Sequence, residues 1–181
     1  MTLTEVLQTL QSHLPDIKLE QQKSELGDSW ILVPAEDVFQ VLSCLKNELG
    51  INYLACLLGV DYESAFGVVY QLRSLKDKID VPVKAMLPKE NPIIATASTL
   101  FPVAEWFERE TFDMFGIQFK NHPDLRRILL PEDWVGYPLR KDYQPPTEYH
   151  GIPAERPNAH AVLDKFYPKP EPTDNQSPVS A

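Results

Sequence analysis

The chain has 181 residues, a hydrophobic fraction of 43%, a charged fraction of 24% and a formal charge of −9. These values describe a folded globular protein long enough for one domain with a real core. The acidic balance argues against a nucleic-acid role, which needs clustered Lys and Arg to displace counterions; the one basic concentration, Arg126, Arg127, Arg140 and Lys141, is small and interleaved with acids.

Leu3, Val6, Leu7, Leu10 and Leu14 fall at helical spacing and Pro15 ends the run, so a short amphipathic helix opens the chain. Its start, "MTLTEVLQTLQ", carries Glu5 where a secretory leader would be apolar, and no signal peptide is expected. A hairpin follows, with Leu19 on one strand, "LGDS" as its turn and "WILVP" on the other. Val38, Val41, Leu42, Leu45 and Leu49 then make one apolar stripe, and Gly50 stands where a left-handed helix stop is wanted.

After Gly50 the period changes. "INYLACLLGV" is apolar on both faces, as a buried strand would be. "FGVVYQLRSL" alternates Phe66, Val68, Tyr70 and Leu72 against smaller or polar residues, and "VPVKAML" does the same with Val81, Val83 and Ala85. The connectors "DYESA" and "KDKID" are short, so the three segments are read as an antiparallel meander. The fold class is therefore α+β, a two-layer domain of helices on a mixed or antiparallel sheet.

A third helix is predicted between Pro102 and Gly116. Glu105, Arg109 and Asp113 recur every four residues, which suggests an exposed ladder of ion pairs worth about 0.3 kcal/mol each. Val103, Trp106, Phe107, Glu110 and Met114 are assigned to the apolar face. That assignment strands Glu110 among hydrophobes, where it should meet a cation: Arg126, Arg127 or one on a partner chain. The run just before, "NPIIATASTLFPVA", is the longest uncharged stretch and falls short of the roughly 20 apolar residues of a membrane span.

Ten of the 17 prolines lie from Pro131 onward, too many for a core of its own, yet "RRILLPEDWVGYPLRKDYQPP" is rich in Leu, Trp and Tyr. An extended, aromatic-studded arm of this kind lies along another protein's surface and orders on binding. The expected organisation is a core over residues 1–116, a partner-wrapping arm over 117–167 and a disordered tail over 168–181.

Chemistry-bearing groups are few. Cys44 and Cys56 are separated by eleven residues with no CxxC, which supports neither a cluster nor a zinc site, and both read as small core hydrophobes. His13, His150 and His160 have no neighbour at ligand spacing, and no glycine-rich phosphate loop or nucleophile motif is present. In "WFERETFDMFG" and just beyond it, Glu108, Glu110, Asp113 and His122 could in principle form an acid–base pair or a carboxylate metal site. Residues two apart on a helix face about 200° apart, however, which separates Glu108 from Glu110.

The run Glu108-Arg109-Glu110, then Asp113-Met114-Phe115, His122, Arg126 and Ile128-Leu129 resembles the signature of the thirty-kilodalton-type subunit of respiratory complex I, the proton-pumping NADH:quinone oxidoreductase, a subunit with a counterpart in the photosynthetic form of the complex. "LLPEDWVGYPLRKDY" looks like that family's next block and "LLGVDYESAFGVVYQLRSL" is similar to its central strands, so the likeness spans about residues 30–145. The resemblance implies a structural and assembly subunit of the peripheral arm with no cofactor of its own. Iron–sulfur clusters and flavin would sit in partner subunits. The partners implied are the quinone-site subunit, itself like a hydrogenase large chain, and the iron–sulfur subunits, with the membrane arm touched indirectly. The location implied is the cytoplasmic side of the plasma membrane or the stromal or cytoplasmic face of a thylakoid, with NADH, NADPH or ferredoxin as donor and ubiquinone, menaquinone or plastoquinone as acceptor. On this reading Trp106, Arg109, Glu110, Asp113, Phe115, His122, Arg126, Trp134, Arg140 and Tyr143 form the subunit contact. A related subunit of a membrane-bound hydrogenase-type complex and a free-standing carboxylate–histidine metal enzyme are the alternatives.

Overall fold

The computed structural model describes residues 2–25, 27 and 29–153. The expected tail, the arm beyond residue 153, His160 and two residues of the "LGDS" turn, Leu26 and Asp28, lie outside the described residues.

Helix α1 (Leu3–His13) begins with a capping box in which the Thr2 hydroxyl accepts from the Glu5 N–H at 3.3 Å and the Glu5 carboxylate accepts from the Thr2 N–H at 2.9 Å. Strands β1 (Glu20–Lys23) and β2 (Ser29–Val33) form the predicted antiparallel hairpin. Helix α2 (Val38–Asn47) buries Val38, Val41, Leu42 and Leu45 completely, as its stripe requires, and Gly50 follows at φ 67°.

The meander is present as β3 (Tyr53–Asp61), β4 (Ala65–Ser74) and β5 (Ile79–Pro88), all antiparallel. Its period-2 pattern sets the register: Phe66, Val68, Tyr70 and Leu72 lie opposite Leu87, Ala85, Val83 and Val81, and all eight are buried. The hairpin joins by a parallel pairing of β2 with β5, giving a five-stranded mixed sheet in the order β1-β2-β5-β4-β3. This is the α+β architecture expected from the sequence.

Strand β6 (Ile93–Ala95) and strand β7 (Gln118–Lys120) pair in parallel on either side of helix α3 (Ala104–Phe115). Gly116 ends the helix at φ 72°, and a side chain there would also meet Tyr137 and Arg140 at 2.5 to 2.6 Å, so both backbone and space demand glycine. The chain then returns to the core, where Ile117 and Phe119 are buried. One compact unit runs to Tyr143, and the described residues from Gln144 onward belong to a second. Within the second, β8 (Glu148–Tyr149) and β9 (Ile152–Pro153) form a small hairpin whose turn residues, His150 and Gly151, both have positive φ.

Candidate functional site

The rotation of α3 about its axis decides the chemistry of the charged cluster it carries. Ala104, Glu108, Thr111 and Phe115, at spacings of four, three and four, form the inward stripe. Its approach to the sheet is close, since a Cβ on Gly59 of β3 would stand 2.7 Å from the Phe115 ring and 2.9 Å from the Thr111 methyl. Most of the stripe assigned from sequence is therefore turned away: Val103 and Trp106 are exposed, Trp106 by 57%, and Phe107 is half-buried, while Met114 at its far end is buried as assigned. Glu110 is exposed, and the stranded carboxylate is Glu108, which has no accessible surface. Large apolar side chains had outweighed the small Ala104 and Thr111, whose size is what lets the helix approach.

Glu108 is held by loop 96–98. Its carboxylate accepts from the Ala97 N–H at 2.6 Å and from the Thr96 hydroxyl. Burial pushes its pKa up to about 7, against the lowering effect of those two hydrogen bonds. His122 approaches from beyond β7, with Nε2 3.9 Å from the carboxylate. The histidine's own bonds set its tautomer: Nδ1 accepts from the Asp124 N–H at 3.0 Å, which leaves Nε2–H to donate to the Glu105 carbonyl at 3.1 Å. The imidazole held by these two bonds is a strut between α3 and the following loop. Tyr70, fully buried on β4, has a hydroxyl without a hydrogen-bond partner, and burial followed by the Glu108 charge pushes its pKa well up.

Further along the helix, Asp113 is buried with a different set of neighbours. One oxygen accepts three successive backbone N–H groups, Ile128 at 3.1 Å, Leu129 at 2.7 Å and Leu130 at 2.9 Å; the other accepts from Arg127 Nη1 at 2.8 Å. Burial alone would raise its pKa, but the amides of Leu130, Leu129 and Ile128 together with Arg127 outweigh it and hold the carboxyl below its ordinary range. Arg127 also donates to the carbonyls of Trp134 and Gly136, both at 3.1 Å. Arg109 donates to the carbonyls of Arg126 and Arg127 at 3.3 Å, with its guanidinium 5.3 Å from the centre of the Trp106 ring. The expected ladder of Glu105, Arg109 and Asp113 does not form, because both inner members bond the loop over residues 126–136.

The far end of that loop is tied down in the same way. Arg140 donates to the Phe115 carbonyl at 2.6 Å and stacks between Tyr137 and Phe66, 4.5 and 5.0 Å from the ring centres. The Leu139 N–H reaches the Met114 carbonyl at 3.1 Å, and the Lys141 N–H reaches Asp61 at 2.8 Å, itself paired with Lys89 at 2.7 Å. Trp134 donates to the Tyr143 hydroxyl at 3.1 Å. Burial acts on Asp61 against the Lys89 and Lys141 contacts, and the contacts prevail, lowering its pKa.

The ten residues singled out from sequence thus divide. Arg109, Asp113, Phe115, His122, Arg140 and the Trp134–Tyr143 pair bond or pack within the chain, whereas Trp106, Glu110 and Arg126 lie at the surface, Arg126 paired with the exposed Asp124 at 2.9 Å. The cations expected beside Glu110 are engaged elsewhere, Arg127 with Asp113 and Arg126 with Asp124. Glu110, Asp113 and His122 do not converge, and among the described residues no group of three His, Cys, Asp or Glu is placed to hold a metal ion. Three outward residues of the expected arm were not singled out as contact residues: Leu129, Val135 and Leu139, exposed by 61%, 79% and 55%. Their only signal is weak, since they are apolar residues in a segment without period, where nothing assigns a face. Among the described residues no helix is long and apolar enough to cross a membrane.

Residues 31–149 match the family of the respiratory-chain NADH dehydrogenase 30 kDa subunit. An NADH-quinone oxidoreductase subunit of Citrifermentans bemidjiense is 47% identical over 120 residues, 65% of this chain and 74% of that one. Among solved structures, a trypsin-resistant fragment of Nqo5 superposes with a TM-score of 0.59 at 31% identity, covering 69% of this chain and all of the fragment. A chain of the membrane-bound sulfane sulfur reductase, an archaeal respiratory membrane complex, shares the fold with a TM-score of 0.65 at 21% identity, over 96% of this chain and 95% of that one. The chain belongs to the 30 kDa subunit family of respiratory-chain NADH dehydrogenase, a family of oxidoreductase subunits, as its signature residues implied.

Proposed function

We propose, on the premise of that membership, that this chain is a structural and assembly subunit of the peripheral arm of a quinone oxidoreductase, and that it supports electron transfer by docking on the quinone-site subunit. The observation that carries the reading is the use made of the signature acids and bases. Glu108, Arg109, Asp113 and Arg127 are engaged by the chain's own backbone and turn no reactive group outward, while Leu129, Val135 and Leu139 are presented to the outside. Exposed apolar side chains on one loop suit a protein contact better than a substrate site. On this reading the subunit binds no cofactor, iron–sulfur clusters lie in neighbouring subunits, and the assembly sits on the cytoplasmic side of its membrane.

Deleting the chain is expected to abolish NADH- or ferredoxin-driven quinone reduction in isolated membranes, and a tagged copy should restore it and co-purify with the quinone-site and iron–sulfur subunits. Recovery of the tagged protein as a free monomer, with quinone reduction intact in the deletion strain, would overturn the proposal. The fold shared with the sulfane sulfur reductase chain supports a second reading, a subunit of a membrane-bound hydrogenase-type complex. The identity of the co-purified subunits distinguishes the two.

A further inference from the structure

The Thr96 hydroxyl meets three polar groups and can serve them in two ways. Its Oγ1 bonds the Glu108 carboxyl, the Ser98 hydroxyl at 2.8 Å and the Ser98 N–H at 3.1 Å. A hydroxyl has one hydrogen and two lone pairs, and the Ser98 N–H takes one lone pair. The hydrogen and the remaining lone pair are divided between Glu108 and Ser98. When Glu108 carries a proton, its O–H donates to Thr96 and Thr96 donates to Ser98. When Glu108 is ionised, Thr96 donates to the carboxylate and the Ser98 hydroxyl donates to Thr96. Every group is used in either arrangement, and the Ala97 N–H serves the other carboxyl oxygen at 2.6 Å in both.

The hydroxyls lead outward. Glu108 has no accessible surface, but Ser98 is half-buried, and Thr96 lines a surface cavity of about 360 Å³ together with Gln40, Thr99, Lys120 and Asn121. The titratable groups that face the acid from other elements are Tyr70 on β4, whose hydroxyl has no partner, and His122 beyond β7, with Nε2 3.9 Å away. Lys46 of α2 is bound to the same stretch of chain, at the Leu100 carbonyl. At hydrogen-bond distance, among the described residues, the carboxyl meets the Ala97 amide and the Thr96 hydroxyl, and burial outweighs both and pushes its pKa up to about 7.

We propose that Glu108, Thr96 and Ser98 form an internal proton-binding site, in which the acid releases and regains its proton through the two hydroxyls and the direction of the chain follows its charge. On release, the carboxyl proton passes to Thr96 Oγ1, the Thr96 hydrogen to Ser98 Oγ, and the Ser98 hydrogen to a solvent water or buffer base. Both hydroxyls stay neutral, one proton leaves, and one negative charge remains on Glu108. Uptake runs the same path in reverse. The bonding of loop 96–98 is thereby coupled to the charge of an acid sealed from water. The site belongs to the fold of the chain and does not depend on the assembly that takes the chain up.

Infrared difference spectra of the full-length chain, with isotope-labelled glutamate and pH raised from about 5 to about 9, test the site. One protonated carboxyl should titrate near neutrality and be missing from Glu108→Gln. Thr96→Val removes the donor to the ionised form and should raise the midpoint by about one pH unit, because a bond to a charged oxygen is roughly twice as strong as its neutral counterpart. Ser98→Ala should lower the midpoint, because it leaves the Thr96 hydrogen without an acceptor only while Glu108 is protonated. Thr96→Ser keeps the hydroxyl and should keep the wild-type midpoint. A Glu108 carboxyl that holds one protonation state across the whole range overturns the site. Midpoints that do not move, or that move in the same direction in Thr96→Val and Ser98→Ala, overturn the chain of hydroxyls, as does a Thr96→Ser midpoint equal to that of Thr96→Val. Should Thr96→Val fail to fold, the sign of the Ser98→Ala shift decides.

Discussion

Helix α3 carries two buried carboxylates five residues apart whose surroundings push them in opposite directions. Glu108 faces loop 96–98 and receives two hydrogen bonds; Asp113 faces residues 127–130 and receives three amides and a guanidinium. Both are fully removed from water. Burial raises the first to about 7, and the denser set of donors holds the second below the usual range. Asp113 lies less deep beneath the surface than Glu108 and also receives the denser, partly charged set of donors, and the two differences together make one buried acid a tether and the other a proton-holding group.

Replacing Asp113 is the strongest way to break this contrast. Asp113→Asn keeps an acceptor for the amides but uncouples Arg127, and it is expected to cost about 3 kcal/mol in urea denaturation at pH 7, a value typical of orphaning one member of a buried pair. Because the folded pKa is lowered, the stabilisation by Asp113 is fully present above its unfolded value and is lost as pH falls through the folded one. The variant should therefore lose much of the wild-type sensitivity to acid below about pH 4. A variant as stable as wild type would show that the cradle does not depend on the charge.

Glu108 has the opposite sign. The folded state binds this proton more tightly than the unfolded chain, so its favourable share is complete below 4.5 and disappears as pH rises to about 7. The fall is on the order of 3 kcal/mol at most. Glu108→Gln is expected to flatten wild-type stability measured between pH 5 and pH 8, and an unchanged slope would assign the dependence to another group. Tyr70→Phe removes a buried hydroxyl that has no partner and sits in the field of Glu108, so it should be neutral or stabilising, within about 1 kcal/mol by thermal denaturation. A larger loss would reveal a hydrogen bond made through a buried water. Smallest of all is Arg126→Ala, which breaks only the exposed pair with Asp124 and should change stability by no more than about 0.5 kcal/mol in the same assay.

Much of the architecture follows from local pattern. The stripes of α1 and α2, the alternation through β4 and β5 and the stop at Gly116 are short-range signals, each set by periodicity or by a residue whose conformation is restricted. The signature running from Glu108 to Leu129 likewise identified the family, because a sequence motif survives without knowledge of what it touches. Two pairings were not legible, β2 with β5 and β6 with β7, since each joins segments separated by a helix and a short strand has no pattern that names its neighbour.

The candidate site was half legible for a related reason. The sequence marked Arg109, Asp113, His122 and Arg140 as residues with a purpose. Only the tertiary structure decided that they act on the chain's own loop, that Glu108 and not Glu110 is the buried acid, and that Ile117 and Phe119 enter the core. Helical spacing defines which side chains share a face, but which face turns inward depends on the surface opposite: Gly59 admits Thr111 and Phe115, and that contact fixes the rotation of every acid on α3.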